Sequence, residues 1–122
     1  MADLAALASW IDGYRRAWES NLPGDIQALF TERAVYRTEP YADPWVGQDA
    51  IVAEWLLAAD EPGETSFRWA PLAITDEVQI VVATTVYRDG PSYRNLWVIR
   101  LAPDGRANEF TEWWMEEPDS AA

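Results

Sequence analysis

The segment from Tyr93 to Glu117, YRNLWVIRLAPDGRANEFTEWWMEE, places the strongest constraint on what this chain can fold into. Two runs rich in aromatic and β-branched residues flank the turn signature Pro103-Asp104-Gly105, which predicts a long β-hairpin. Side chains alternate across a strand. In the second arm Phe110, Glu112 and Trp114 therefore share one face, and Glu109, Thr111, Trp113 and Met115 share the other. Both faces carry large aromatics, so the sheet must be covered twice: by the chain's own helices on one side and by a partner subunit on the other. Glu112 lies between two rings in its own row. It is either a solvent-facing acid among exposed aromatics or an acid in an apolar pocket, where desolvation would raise its pKa.

Ahead of the hairpin, the apolar periodicity is first helical and then extended. Asp3 is a capping residue for a helix over about residues 3–20, with Leu4, Leu7, Ala8, Ile11, Tyr14 and Trp18 on one stripe. A turn at Asn21-Leu22-Pro23-Gly24 leads to a short second helix, capped by Asp25 and carrying Ile26, Leu29 and Phe30. Residues 33–38 alternate as a strand, with Ala34, Tyr36 and Thr38 on one face, and Pro40 ends it. The loop EPYADPWVG reads as a lid or a packed connection. Gly47 precedes a third helix over about residues 48–59, and residues 60–66 break that pattern. Strands follow at 67–74, 78–87 and 93–101, before the closing arm. Only residues 118–122 read as a frayed tail. The prediction is one α+β domain over residues 1–122, three N-terminal helices packed on a curved, mainly antiparallel sheet whose concave side encloses a pocket.

What is missing limits the chemistry. The chain has no His and no Cys, and all nine of its Lys and Arg positions are Arg. Histidine triads, thiol nucleophiles, lysine Schiff bases, the P-loop lysine and the usual zinc ligand sets are excluded. No EF-hand spacing or compact acidic cluster appears, so no metal and no cofactor are expected. A formal net charge of -12 disfavours nucleic acid and anionic membrane surfaces as partners. No apolar run approaches the ~20 residues of a membrane span. With no cysteine and no signal-peptide pattern at the N-terminus, a cytoplasmic location is expected.

The run DIQALFTERAVYRTEPYADPWVGQDAIVAEW, Asp25 to Trp55, resembles the nuclear transport factor 2-like superfamily, particularly its SnoaL-like branch. It matches in D-x-x-A-L-F, in A-V-Y and in G-x-x-A-I, and the closing GR-x-x-E-F-x-E-W-W fits the same branch. The resemblance implies a cone-shaped fold that hosts isomerases, hydrolases, cyclases, dehydratases and non-catalytic domains. Ketosteroid isomerases use a first-helix tyrosine as oxyanion donor, and Tyr14 has that spacing. Their basic aspartate at the end of the first strand corresponds to Thr38 followed by Glu39, and their second donor falls near Trp97, which carries an indole N–H. In limonene epoxide hydrolase-like enzymes a tyrosine, a spacer and an asparagine position water, matched here by Tyr36, Arg37 and Thr38. The acid of their last strand corresponds to Glu112 after Phe110 and Thr111. Their arginine and aspartate on the penultimate strand are replaced by Asn95 and Trp97. SnoaL-type cyclases also use an acid on the last strand.

These comparisons converge on Glu112 as acid or base, with Tyr36, Thr38 and Tyr14 as orienting or donor groups. Asn95, Trp97, Phe110, Trp114 and Glu39 are the expected substrate-binding residues. A bland alternative remains open, in which Glu112 pairs with Arg100, Arg94 or Arg37 across the sheet. The expected function is proton transfer or water activation on a small, apolar, oxygenated molecule; a non-catalytic dimeric binding module is the alternative. The outward row with Trp113 and Met115 predicts a homodimer through sheet faces.

Overall fold

The computed structural model describes residues 3–58 and 65–118. In chain order these form α1 (Leu4–Ser20), α2 (Pro23–Gln27), β1 (Phe30–Arg37), β2 (Trp45–Val46), α3 (Gln48–Leu57), β3 (Thr65–Ile74), β4 (Gln79–Tyr87), β5 (Ser92–Leu101) and β6 (Ala107–Glu116). The Asp3 carboxylate caps α1 by accepting the Ala6 N–H at 2.9 Å. Asn21, in the left-handed region at φ 51°, closes it through its own N–H to the Ala17 carbonyl at 2.9 Å. The buried stripe is Leu7, Trp10, Ile11, Tyr14 and Ala17. Leu4, expected on that stripe, is exposed. At 3.6 residues per turn it falls about a quarter-turn from the stripe's centre, and Trp10 occupies the packed position.

Four further expectations are corrected. Asp25 does not cap α2; the cap position is Leu22, with Pro23 at the first helical position, where its fixed φ suits the turn and its missing N–H costs nothing. The Asp25 carboxylate instead accepts from the Ser20 hydroxyl at 2.7 Å. Phe30, expected in α2, opens β1, which ends at Arg37 with Thr38 just beyond it. Within the loop after β1 lies β2, which pairs antiparallel with Val35 and Tyr36 and stacks Trp45 on Tyr36 at 4.8 Å. Two residues are too few for an alternation to reveal a strand. The third helix ends at Leu57 with Ala58 as its cap. Ala59, most of the predicted 60–66 break and all of the predicted tail after Pro118 fall outside the described residues.

The strands form one sheet in the order β2-β1-β6-β5-β4-β3. β3 to β6 are antiparallel neighbours, as their turn signals imply, while β1 lies parallel to β6. Gly105, at φ 88°, forms the hairpin turn between β5 and β6 in the left-handed region that glycine occupies without strain. Register shifts interrupt the β1/β6, β3/β4 and β5/β6 pairs, and such bulges bend a sheet. The helices pack on one face. Tyr14 of α1 lies 5.4 Å from both the Phe110 and Trp97 rings, and Trp55 of α3 lies 5.5 Å from Tyr14.

Candidate active site

The strand registers decide which side chains meet under the helices. Trp97 on β5 lies opposite Glu112 on β6, Asn95 opposite Trp114, and Ile99 opposite Phe110. Across the next pair, Asn95 faces Ala83 and Tyr93 faces Thr85. Trp97, Ile99 and Phe110 are fully buried with Tyr14 and Phe30, so aromatic rings fill the deep end of the cone. A hollow of about 250 Å³ remains at the open end. Glu112, Asn95, Thr85 and Thr38 supply its polar wall, and Trp18, Tyr87, Tyr93 and Trp114 its aromatic one.

A chain of hydrogen bonds runs along the polar wall. The Thr85 hydroxyl donates to Asn95 Oδ1 at 2.7 Å, and Asn95 Nδ2 donates to Glu112 Oε1 at 2.6 Å. With its carbonyl oxygen held by Thr85, the Asn95 amide must present N–H to the carboxylate. Burial raises the Glu112 pKa from 4.5 to about 7, against the opposing pull of the Asn95 hydrogen bond, so both protonation states are populated near neutrality. The arginines that would neutralise this acid are engaged elsewhere. Arg37 and Arg100 pair with Glu109 at 3.1 and 3.2 Å, and Arg94 pairs with Glu117 at 2.8 Å.

Behind the wall the Tyr14 and Tyr36 hydroxyls meet at 3.2 Å, both buried. Burial, reinforced by the neighbouring charges including Glu112, raises both phenol pKa values, so both remain hydrogen-bond donors. Neither tyrosine lines the hollow; they underlie it. Trp97 and Phe110, expected to touch substrate, belong to the core instead, because their register sets them one and two rows inward from the mouth. The Trp97 indole N–H is buried without a hydrogen-bond partner among the described residues. Glu39 sits on the other side of the sheet, in a groove of about 470 Å³ whose lining includes Val82, Leu96, Trp113 and Met115. Trp114 borders both cavities. The sequence reading missed Thr85, Tyr87 and Tyr93 as site residues. Thr85 looks in sequence like one more β-branched residue of the run QIVVATTVY, and only its register opposite Tyr93 brings it to Asn95. Among the described residues no group of three or more acids is placed to hold a metal ion, and no helix is long and apolar enough to cross a membrane.

Helices gathered on one face of a curved six-stranded sheet, with the hollow at its open end, define the nuclear transport factor 2-like fold, and the chain has that fold. Solved structures give it particular neighbours. An NTF2-like protein of unknown function from Burkholderia xenovorans LB400 matches with a TM-score of 0.74 at 9% identity, over 95% of this chain and 88% of that one. SalBIII, an epoxide hydrolase/cyclase-like enzyme of pyran ring formation in salinomycin, matches with a TM-score of 0.71 at 17% identity, over 94% and 95%. A steroid delta-isomerase from Pseudomonas aeruginosa matches with a TM-score of 0.63 at 18% identity, over 95% and 82%. No protein-family model and no curated protein matches the sequence.

Proposed function

We propose that this protein is an enzyme that uses Glu112 to move a proton to or from a small, largely apolar, oxygen-bearing molecule seated in the hollow. The observation that carries this reading is an acid with a pKa of about 7, lodged among rings and held at one oxygen by Asn95, with no arginine partner among the described residues. A group poised near neutral pH serves as well as a base as it does as an acid, and general acid/base help contributes about 10² to 10⁴-fold. Ionised Glu112 takes a proton from a carbon acid or from water through its other oxygen, Oε2; protonated, it returns that proton. Thr38 at the rim orients the substrate oxygen, while Tyr14 and Tyr36, bonded to each other behind the wall, support it from beneath without touching the substrate. Fold neighbours that include an isomerase and an epoxide hydrolase/cyclase-like enzyme support the reaction class. That no arginine pairs with Glu112 among the described residues favours this reading over a passive binding module.

The outer sheet face carries Trp113 and Met115, exposed by 51% and 72%. A second copy of the chain is its proposed cover, giving a homodimer. The test of function is proton exchange: deuterium incorporation next to the carbonyl of small cyclic ketones, and opening of small epoxides in isotopically labelled water. Wild-type protein should catalyse at least one of these, and Glu112→Gln should reduce it by about 10² or more. Equal turnover by the variant would refute the assignment.

A further inference from the structure

The aromatic wall of the hollow is built from rings set at right angles. Tyr87 and Tyr93 meet edge to face at 5.7 Å and 81°, as do Tyr93 and Trp114 at 5.6 Å and 85°, and all three line the hollow. Trp18 contributes a fourth ring, and Glu112 is the acid of the polar wall of the same hollow. Among the described residues no cationic side chain lines the space. Arg15 of α1 is already stacked on Phe67 at 4.4 Å and donates to the Phe67 carbonyl at 3.1 Å.

We infer that the hollow is a cage for a compact organic cation, a quaternary or protonated ammonium group, carried by the molecule on which Glu112 acts. The negative face of an aromatic ring attracts such a cation, and four aromatic residues line this one hollow. A partly buried carboxylate without a counter-ion among the described residues is the complementary element, because buried charges are stable only when paired. An anionic ligand would meet both Glu112 and a chain of net charge -12, whereas the same field draws cations towards the mouth. A cation against the rings also favours the ionised form of Glu112, so the ligand would prepare its own base. This inference rests on Glu112 being the working group of the hollow, and it specifies the chemistry of what enters.

The test compares choline with 3,3-dimethylbutan-1-ol, in which carbon replaces the ammonium nitrogen, by calorimetry and tryptophan fluorescence. Choline should saturate the protein and bind about tenfold or more tighter than the alcohol. Tyr93→Leu and Glu112→Gln should each erase most of that preference, while Tyr93→Phe, which keeps the ring, retains it. Equal binding of the two probes, failure of choline to saturate, or an unchanged preference in a folded Tyr93→Leu variant would overturn the cage. Neither probe needs to be turned over, so loss of the cage leaves the proton-transfer reading standing, and loss of turnover removes only the claim that the caged molecule is the substrate of Glu112.

Discussion

Glu112→Gln separates the electrostatics of the hollow from its packing, because the amide has the shape of the acid and still accepts from Asn95 Nδ2 but cannot ionise. Burial holds the Glu112 pKa at about 7 rather than 4.5. The folded state thus binds this proton more tightly than the unfolded chain. The stabilisation is complete below about pH 4.5 and is lost as pH rises through 7. A pKa change of one is worth about 1.4 kcal/mol, so the full loss is about 3 kcal/mol. Glu112 is only partly shielded from solvent, and screening at the mouth reduces this to about 1–3 kcal/mol. Wild type and variant should have similar unfolding free energies at pH 4.5, and the variant should be the more stable by that amount at pH 8.5. Urea denaturation of both proteins at the two pH values reads the difference directly, since every other titrating group cancels between them. A stability gap that does not change with pH would refute the claim that the folded state disfavours the Glu112 charge. A gap of the opposite sign would mean that an undetected cation stabilises the carboxylate.

The remaining predictions concern the wall of the hollow and the outer face. Thr85→Val removes the donor that orients Asn95, so the Glu112 carboxylate loses a reliable hydrogen bond and its pKa rises further, whereas Thr85→Ser leaves it unchanged. Carbon NMR of glutamate-labelled protein, with Glu112→Gln for assignment, follows that titration, and identical midpoints in Thr85→Val and wild type would show that Asn95 needs no such help. Trp113→Glu places a charge in the middle of the apolar outer face and should convert a dimer to monomers in sedimentation equilibrium, with little change in circular dichroism. Wild type sedimenting as a monomer would show that a second copy does not cover this face.

Periodicity and punctuation were enough to read most of the architecture. Asp3 and the helical stripe announced α1, Pro103-Asp104-Gly105 announced the last hairpin, and the alternation from Phe67 onward announced the antiparallel strands. Each of these signals is local: a side chain's face follows from its neighbours a few residues away. Glu112 as an acid among rings was legible for the same reason, since Phe110 and Trp114 flank it in its own row. The errors also came from local competition, as where Pro23 rather than Asp25 set the start of α2, or where the pair Trp45–Val46 was too short to display a period.

Depth was not legible. Which members of the row line the hollow and which vanish into the core depends on the parallel docking of β1 beside β6 and on where α1 crosses the sheet, and both join residues far apart in the chain. Trp97 and Phe110 went to the core, Tyr14 and Tyr36 to a buried pair, and Glu39 to the opposite face. Thr85, ten residues from Asn95, became its partner through strand register alone. The amino-acid order determined that a carboxyl group would stand among aromatics. Tertiary packing decided that the arginines would choose Glu109 and Glu117 instead, and so left Glu112 with a proton near neutral pH, because long-range geometry sets both desolvation and charge pairing.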